Sequence, residues 1–223
     1  MLPDWEGIVT FVVSKKETHL TLPILRAEYV SVLTNPMIQR TGGEDLQAWR
    51  IRAADSSPEN IFRHFALYHE YESGGSVWLM KGLDPAASDY HDLLDIARIW
   101  AREGREVLVL APVHFKDPLY AEIYGPLIGT KYDWKCPDLL VDGEFYEYES
   151  FQPPWKRNKI SKMLKAGLKQ ASRLILNNNK GGIDRLYRKN VYARLMGGAV
   201  ISEVWLYESG TLKLIFKSNK ETP

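Results

Sequence analysis

The chain has 223 residues, enough for one large domain or for a compact domain with a smaller companion, and its 45% apolar content with 7 Trp, 12 Tyr and 7 Phe excludes disorder over most of its length. A single cysteine, Cys136, excludes an internal disulfide and a cysteine-built zinc cluster. The net charge of +1 conceals two blocks: residues 1–150 carry 14 Lys and Arg against 24 Asp and Glu, and residues 151–223 carry 15 against 4.

Such blocks either neutralise each other across an internal interface or give the C-terminal third a surface for polyanions. No run approaches the length of a membrane span, so no membrane partner is expected. The opening MLPDWEGIVTFVV is acidic, with only a short apolar run, and lacks the form of a secretory signal. A cytoplasmic location is the expectation.

In chain order, residues 7–13 and 29–33 read as strands, being rich in β-branched and aromatic side chains. Ser56, Ser57 and Pro58 suit the start of a helix running through IFRHFALYHEY, with Gly74-Gly75 as its stop. Residues 89–103 repeat apolar side chains at helical spacing, and Gly104 suits the C-terminal cap. Residues 106–111 read as a buried strand stopped by Pro112, followed by a loop containing His114. The sequence PDLLVDGEFYEYES, from Pro137 to Ser150, reads as a hairpin around Asp142-Gly143. A helix over 155–172 has Ile160, Met163, Leu164, Gly167, Leu168 and Ala171 on one face. Lys162, Lys165 and Lys169 fall opposite, with Lys159 on the flank. A strand over 173–178, a helix over 183–196 and a hairpin of 201–208 with 211–217 complete the order.

The fold class is therefore α+β: a small, twisted, mostly antiparallel sheet with packed helices over 88–223, preceded by an N-terminal region, 1–87, of unknown fold and role. The N-terminal region is a candidate accessory, delivery or inhibitory segment.

The hairpin carries the most chemical information. With Asp142-Gly143 as the loop, Val141 pairs with Glu144, Leu140 with Phe145, Leu139 with Tyr146 and Asp138 with Glu147. Glu149 shares the face of Asp138 and Glu147. Opposed like charges destabilise a sheet by up to about 1 kcal/mol when exposed, and more when buried. A divalent metal, a cation from the following lysine helix, or a retained proton would each relieve them. A slipped register, or three solvated acids at a rim, is the plain alternative.

GREVLVLAP, PDLLVDGEFYEYES, SKMLKAGLKQASRLIL and ISEVWLYESGTLKLIFK together resemble, over about 88–218, the C-terminal toxin domains of contact-dependent growth-inhibition proteins in the Barnase–EndoU–colicin–RelE ribonuclease superfamily. One departure stands out: where that family has Glu-x-Lys, this chain has Glu147-Tyr148-Glu149. The resemblance implies a metal-independent ribonuclease acting on RNA, with tRNA as the implied substrate and a cognate inhibitor protein as partner. Asp138, Glu147 and Glu149 would surround its site. The same acids also resemble the motif of PD-(D/E)xK nucleases, with Glu149 in the lysine position and Gln170 on the next helix. That similarity implies Mg²⁺ held by Asp138 and Glu147. A third reading is a binding module of this fold that has lost its chemistry, to which the Glu149 departure points.

Outside the hairpin, His114 is a candidate acid or base at a strand end. Lys159, Lys162, Lys165 and Lys169 are candidates for nucleic-acid contact, and Gln170 for fixing a backbone group or a carboxylate. Arg185 and Arg188, three apart on one helix, suit a phosphate clamp. Trp134 and Trp155 are candidates for stacking on bases, with a core role as the alternative. His64 and His69, five apart on the expected helix, read as structural.

Overall fold

The computed structural model describes residues 63–218, apart from 152, 153, 155, 157, 180 and 181. The expected strands at 7–13 and 29–33, Ser56, Ser57 and Pro58, and Trp155 lie outside the described residues. Eight strands form one sheet: β1 Phe65–Glu70, β2 Ser76–Met80, β3 Glu106–Val109, β4 Leu139–Val141, β5 Glu144–Glu149, β6 Arg173–Asn177, β7 Glu203–Glu208 and β8 Thr211–Lys217. Among the described residues four helices accompany these eight strands: α1 Tyr90–Arg102, α2 Pro118–Ile123, α3 Asn158–Gly167 and α4 Asp184–Met196. A 3-10 turn at Gly125–Leu127 follows α2.

The strands lie in the sheet in the order of the chain. Pairs β2–β3, β5–β6 and β6–β7 are parallel, and the other four are antiparallel. Each parallel pair is bridged by a helix, because a parallel return needs a crossover. The class is α+β as expected, with a mixed sheet whose first strand among the described residues begins at Phe65.

Residues 65–70 correct the expected helix. They form a strand paired antiparallel with β2, and Gly74-Gly75 makes the turn between them (Tyr71 N–H to Gly75 O, 2.8 Å). His69 is therefore on a strand, and His64 precedes it, within 2.8 Å of Glu122 Oε2. Pairing overrides local helix propensity here, and Gly75 shows why the turn is fixed. A Cβ at that position would lie 2.0 Å from the Ala101 carbonyl oxygen, at the end of α1. The lysine helix is also shorter than expected. It runs from Asn158 to Gly167, and Gln170 sits in the turn that follows, its N–H on the Gly167 carbonyl.

Alternation along the strands gives the sheet two apolar faces. On one, α1 buries Leu93, Ile96, Ala97 and Trp100 against Val77, Val107, Val109, Leu139 and Val141, with Tyr146 and Tyr148 beside them. Fully burying a side chain such as Ile96 is worth roughly 1.5–3 kcal/mol. The other face has two parts. Around α2, Leu108, Leu110, Leu140 and Phe145 meet Tyr120, Ile123 and Tyr124. Around α3 and α4, Leu174, Leu176, Val204 and Leu206 meet Ile160, Leu164, Tyr187 and Val191. The start of β4 and the end of β5 fall between these two clusters.

Candidate functional site

The hairpin has the expected register, with Leu139 opposite Tyr146, Leu140 opposite Phe145 and Val141 opposite Glu144. Asp142 and Gly143 have φ of 50° and 84°, the left-handed pair that a type I′ turn demands. Alternation then sends Tyr146 and Tyr148 towards α1, and Glu147 and Glu149 to the opposite face.

Asp138 precedes β4 and is fixed by two backbone contacts. Its carbonyl accepts from Leu110 N–H at 2.8 Å, and its Oδ2 accepts from Tyr148 N–H at 2.9 Å. This holds the carboxyl beside that of Glu147, and each acid disfavours ionisation of its neighbours. Glu147 is 8% exposed, and its Oε2 is buried without a hydrogen-bond partner. Burial, then the charges of Asp138 and Glu149, push Glu147 up to about 10. Asp138 is raised to about 7, mainly by burial, which outweighs the Tyr148 N–H bond. Glu149, half-buried, is raised to about 7 by burial and then by Asp138. Its side chain packs on α3, where a Cβ at Gly167 would lie 3.1 Å from Glu149 Cγ.

Asp89 belongs to this group and was not singled out from the sequence. It occupies the N-cap position of α1, yet its side chain makes no capping bond. Its charge instead raises both Asp138 and Glu147. In the sequence it reads as an ordinary helix start. A second polar cluster lies on the α1 face. The Tyr148 hydroxyl donates to Asp92, and the Asn177 side-chain amide donates to Asp92 at 3.1 Å and to the Tyr148 oxygen at 2.6 Å.

Among the described residues, no lysine, arginine or histidine forms an ion pair with Asp138, Glu147 or Glu149. Part of the C-terminal positive charge is neutralised elsewhere, since Arg173, Lys213 and Lys217 pair with Glu144, Asp184 and Glu203. Lys162, Lys165 and Lys169 are exposed, and Lys159 is half-buried. Arg185 and Arg188 are both exposed, and Arg188 donates to the Ile215 carbonyl at 2.7 Å, which turns it towards β8. The Gln170 side-chain oxygen is buried without a partner. His114 is exposed in the loop after β3, its Nδ1 accepting from Lys116 N–H at 3.2 Å.

Among the described residues, no three His, Cys, Asp or Glu side chains are grouped to enclose a metal ion. A two-carboxylate site is a different arrangement. Mg²⁺ keeps most of its waters and is usually held by one or two carboxylates together with substrate phosphate. The buried, partnerless Glu147 Oε2 beside Asp138 fits that donor set.

Residues 135–197 match the family model described as contact-dependent growth inhibition CdiA C-terminal domain. This span contains the hairpin, α3, β6 and α4, and it supports a C-terminal toxin domain of contact-dependent growth-inhibition proteins. No curated protein and no solved structure matches the chain. No described helix is long and apolar enough to cross a membrane.

Proposed function

We propose that this chain is a growth-inhibition nuclease that cleaves phosphodiester bonds at the acid cluster, with a divalent cation held by Asp138 and Glu147. The observation that carries this reading is a buried Glu147 carboxyl oxygen without a hydrogen-bond partner, set beside the Asp138 carboxyl with no cationic partner among the described residues. A buried like-charge pair costs stability unless a positive charge joins it. A divalent ion would supply that charge, together with Lewis-acid polarisation of a phosphoryl oxygen and an activated water.

The remaining roles fall to the chain itself. Glu149, raised to about 7, is poised near neutrality to take a proton from the attacking water, where the growth-inhibition family places a lysine. Tyr148 N–H fixes the Asp138 carboxyl. The exposed lysines of α3, on the helix that packs against Glu149, offer charge to the phosphate backbone. RNA is the proposed substrate class, with tRNA the case implied by the resemblance, and a cognate inhibitor is the proposed protein partner.

A metal-free ribonuclease is the second reading. It is favoured by the burial and neighbouring acids that raise Glu147 and favour its protonated form, which suits a general acid, and by the exposed His114 in the loop after β3. Incubation with total tRNA and with duplex DNA, with and without EDTA, separates the two. The expected result is RNA cleavage that stops in EDTA, returns with Mg²⁺ and falls roughly 10³-fold in Glu147→Ala. Cleavage that survives EDTA and is lost in the variant establishes the metal-free enzyme. Absence of cleavage under all conditions sinks both and leaves a binding module.

A further inference from the structure

Between β3 and β4 the chain makes a long excursion whose outer side exposes three rings in a row. The His114 ring stacks on Phe115 with centroids 4.6 Å apart and planes at 29°, and Phe115 lies 5.3 Å from Trp134 at 34°. Trp134 is 63% exposed and Phe115 36%. Leaving so much aromatic surface in water forgoes the burial that other aromatic side chains of this chain achieve. Trp134 is also held at φ 64°, a left-handed conformation unusual for a bulky residue. The strain is confined by bonds on both sides of it, from Asp133 N–H to Thr130 O and from Lys135 N–H to Tyr132 O, each 3.1 Å. Backbone strain of this kind clusters at binding and active sites.

The rings are tied to the acid cluster. Cys136 Sγ donates to the carbonyl of Val113, the residue before His114, at 3.3 Å. Trp134 stands four residues before Asp138, no more than about 14 Å of extended chain. The patch is cationic at its margins: Lys116 lies over the Phe115 ring at 5.8 Å, and Lys131 over the neighbouring Tyr132 ring at 4.7 Å. Flat rings flanked by lysines suit a nucleobase and its phosphate, and stacking does not depend on which base it is.

We infer that Phe115 and Trp134 form a stacking subsite for an unpaired base of the RNA strand whose phosphodiester reaches Asp138 and Glu147, so that single-stranded or looped RNA is preferred to duplex. This inference rests on the nuclease reading for its substrate, and its test is a binding measurement that needs no turnover. The full chain carrying Glu147→Gln is titrated into a short, unstructured, fluorescein-labelled RNA oligonucleotide, and into the same strand fully paired, with anisotropy as the readout. Adding Trp134→Ala is expected to weaken single-strand binding by roughly 5- to 150-fold, the equivalent of one lost base stack. Duplex binding should barely change, and Trp134→Phe should restore most of the single-strand affinity. Because Trp134 is largely exposed, folding is not at stake, and Phe115→Ala provides a second, independent variant. Unchanged single-strand affinity in both variants overturns the inference and leaves the patch to a protein partner. So does an equal loss on duplex, or no binding of the oligonucleotide by the parent. If the Trp134 effect appears but no cleavage is ever seen, the subsite stands and the nuclease reading fails. If cleavage proceeds undiminished in Trp134→Ala, the nuclease stands and the subsite fails.

Discussion

Glu147 on β5 and Glu203 on β7 are the same side chain in the same sheet, and each is 8% exposed. Their surroundings could hardly differ more. Glu203 accepts from the Tyr146 hydroxyl at 2.9 Å and from the Trp205 indole at 3.0 Å, and it pairs with Lys217 at 2.9 Å. Burial alone would push it up, but these donors and the lysine charge outweigh burial and leave it below the ordinary carboxylate range. Glu147 has three acids for company, Asp138, Glu149 and Asp89, and burial with their charges pushes it up to about 10. Burial is common to both, so partners decide the sign. One glutamate is built to hold the sheet, and the other is kept unsatisfied at a stability cost.

The sharpest way to break this contrast is Glu203→Ala. It leaves the buried Tyr146 hydroxyl and the Trp205 N–H without their acceptor, at a cost of about 2 kcal/mol or a Tm lower by about 4–8 °C. An unchanged thermal midpoint would show that Glu203 is not structural. Glu147→Gln should act in the opposite direction. In divalent-free buffer near pH 8 it is expected to raise stability by about 1 kcal/mol, or Tm by about 2–4 °C, while abolishing cleavage. The pH dependence follows from linkage. Glu147 has a folded pKa above its ordinary 4.5, so its stabilising contribution is complete below pH 4.5 and is lost as pH rises towards 10. The advantage of Glu147→Gln should therefore shrink as pH is lowered from 8 to 4.5, and a constant advantage counts against a retained proton. Glu203, with its folded pKa lowered, loses its contribution as pH falls instead. The smallest effect is expected of Tyr146→Phe, which removes one donor from Glu203 but keeps the ring against Trp100. Chemical denaturation should show a loss of about 0.5–1 kcal/mol, and none at all would mean that the hydroxyl adds nothing.

The acid face was legible in the sequence because each local signal agreed with the next. Asp142-Gly143 supplies the positive φ of a tight turn, the register follows by counting, and alternation sorts the tyrosines from the acids. The helix ending at Gly104 was legible for the same reason, its apolar face and its cap pointing to one answer. Residues 65–70 were not. In that strand only Phe65 is buried, so no alternation marks it, and its partner β2 lies beyond a turn that reads equally well as a helix stop. Asp89 escaped because an acid before a helix needs no further explanation, and only the fold brings it near Asp138. The triple-ring stack was half visible. Trp134 stood out as a base-stacking candidate, but Phe115 reaches it across nearly twenty residues that include α2, a closure that periodicity does not report.

The sheet has a further property with a bearing on how the molecule comes into being. Its strands stand side by side in the sequence in which they are synthesised, and every β-ladder joins consecutive strands. No pair has to be parted to admit a later arrival. Each new strand finds its template one crossover or turn behind it, so no ladder waits on a strand more than one connection away. Among the described residues, the first and last strands, β1 and β8, stand at the two edges of the sheet.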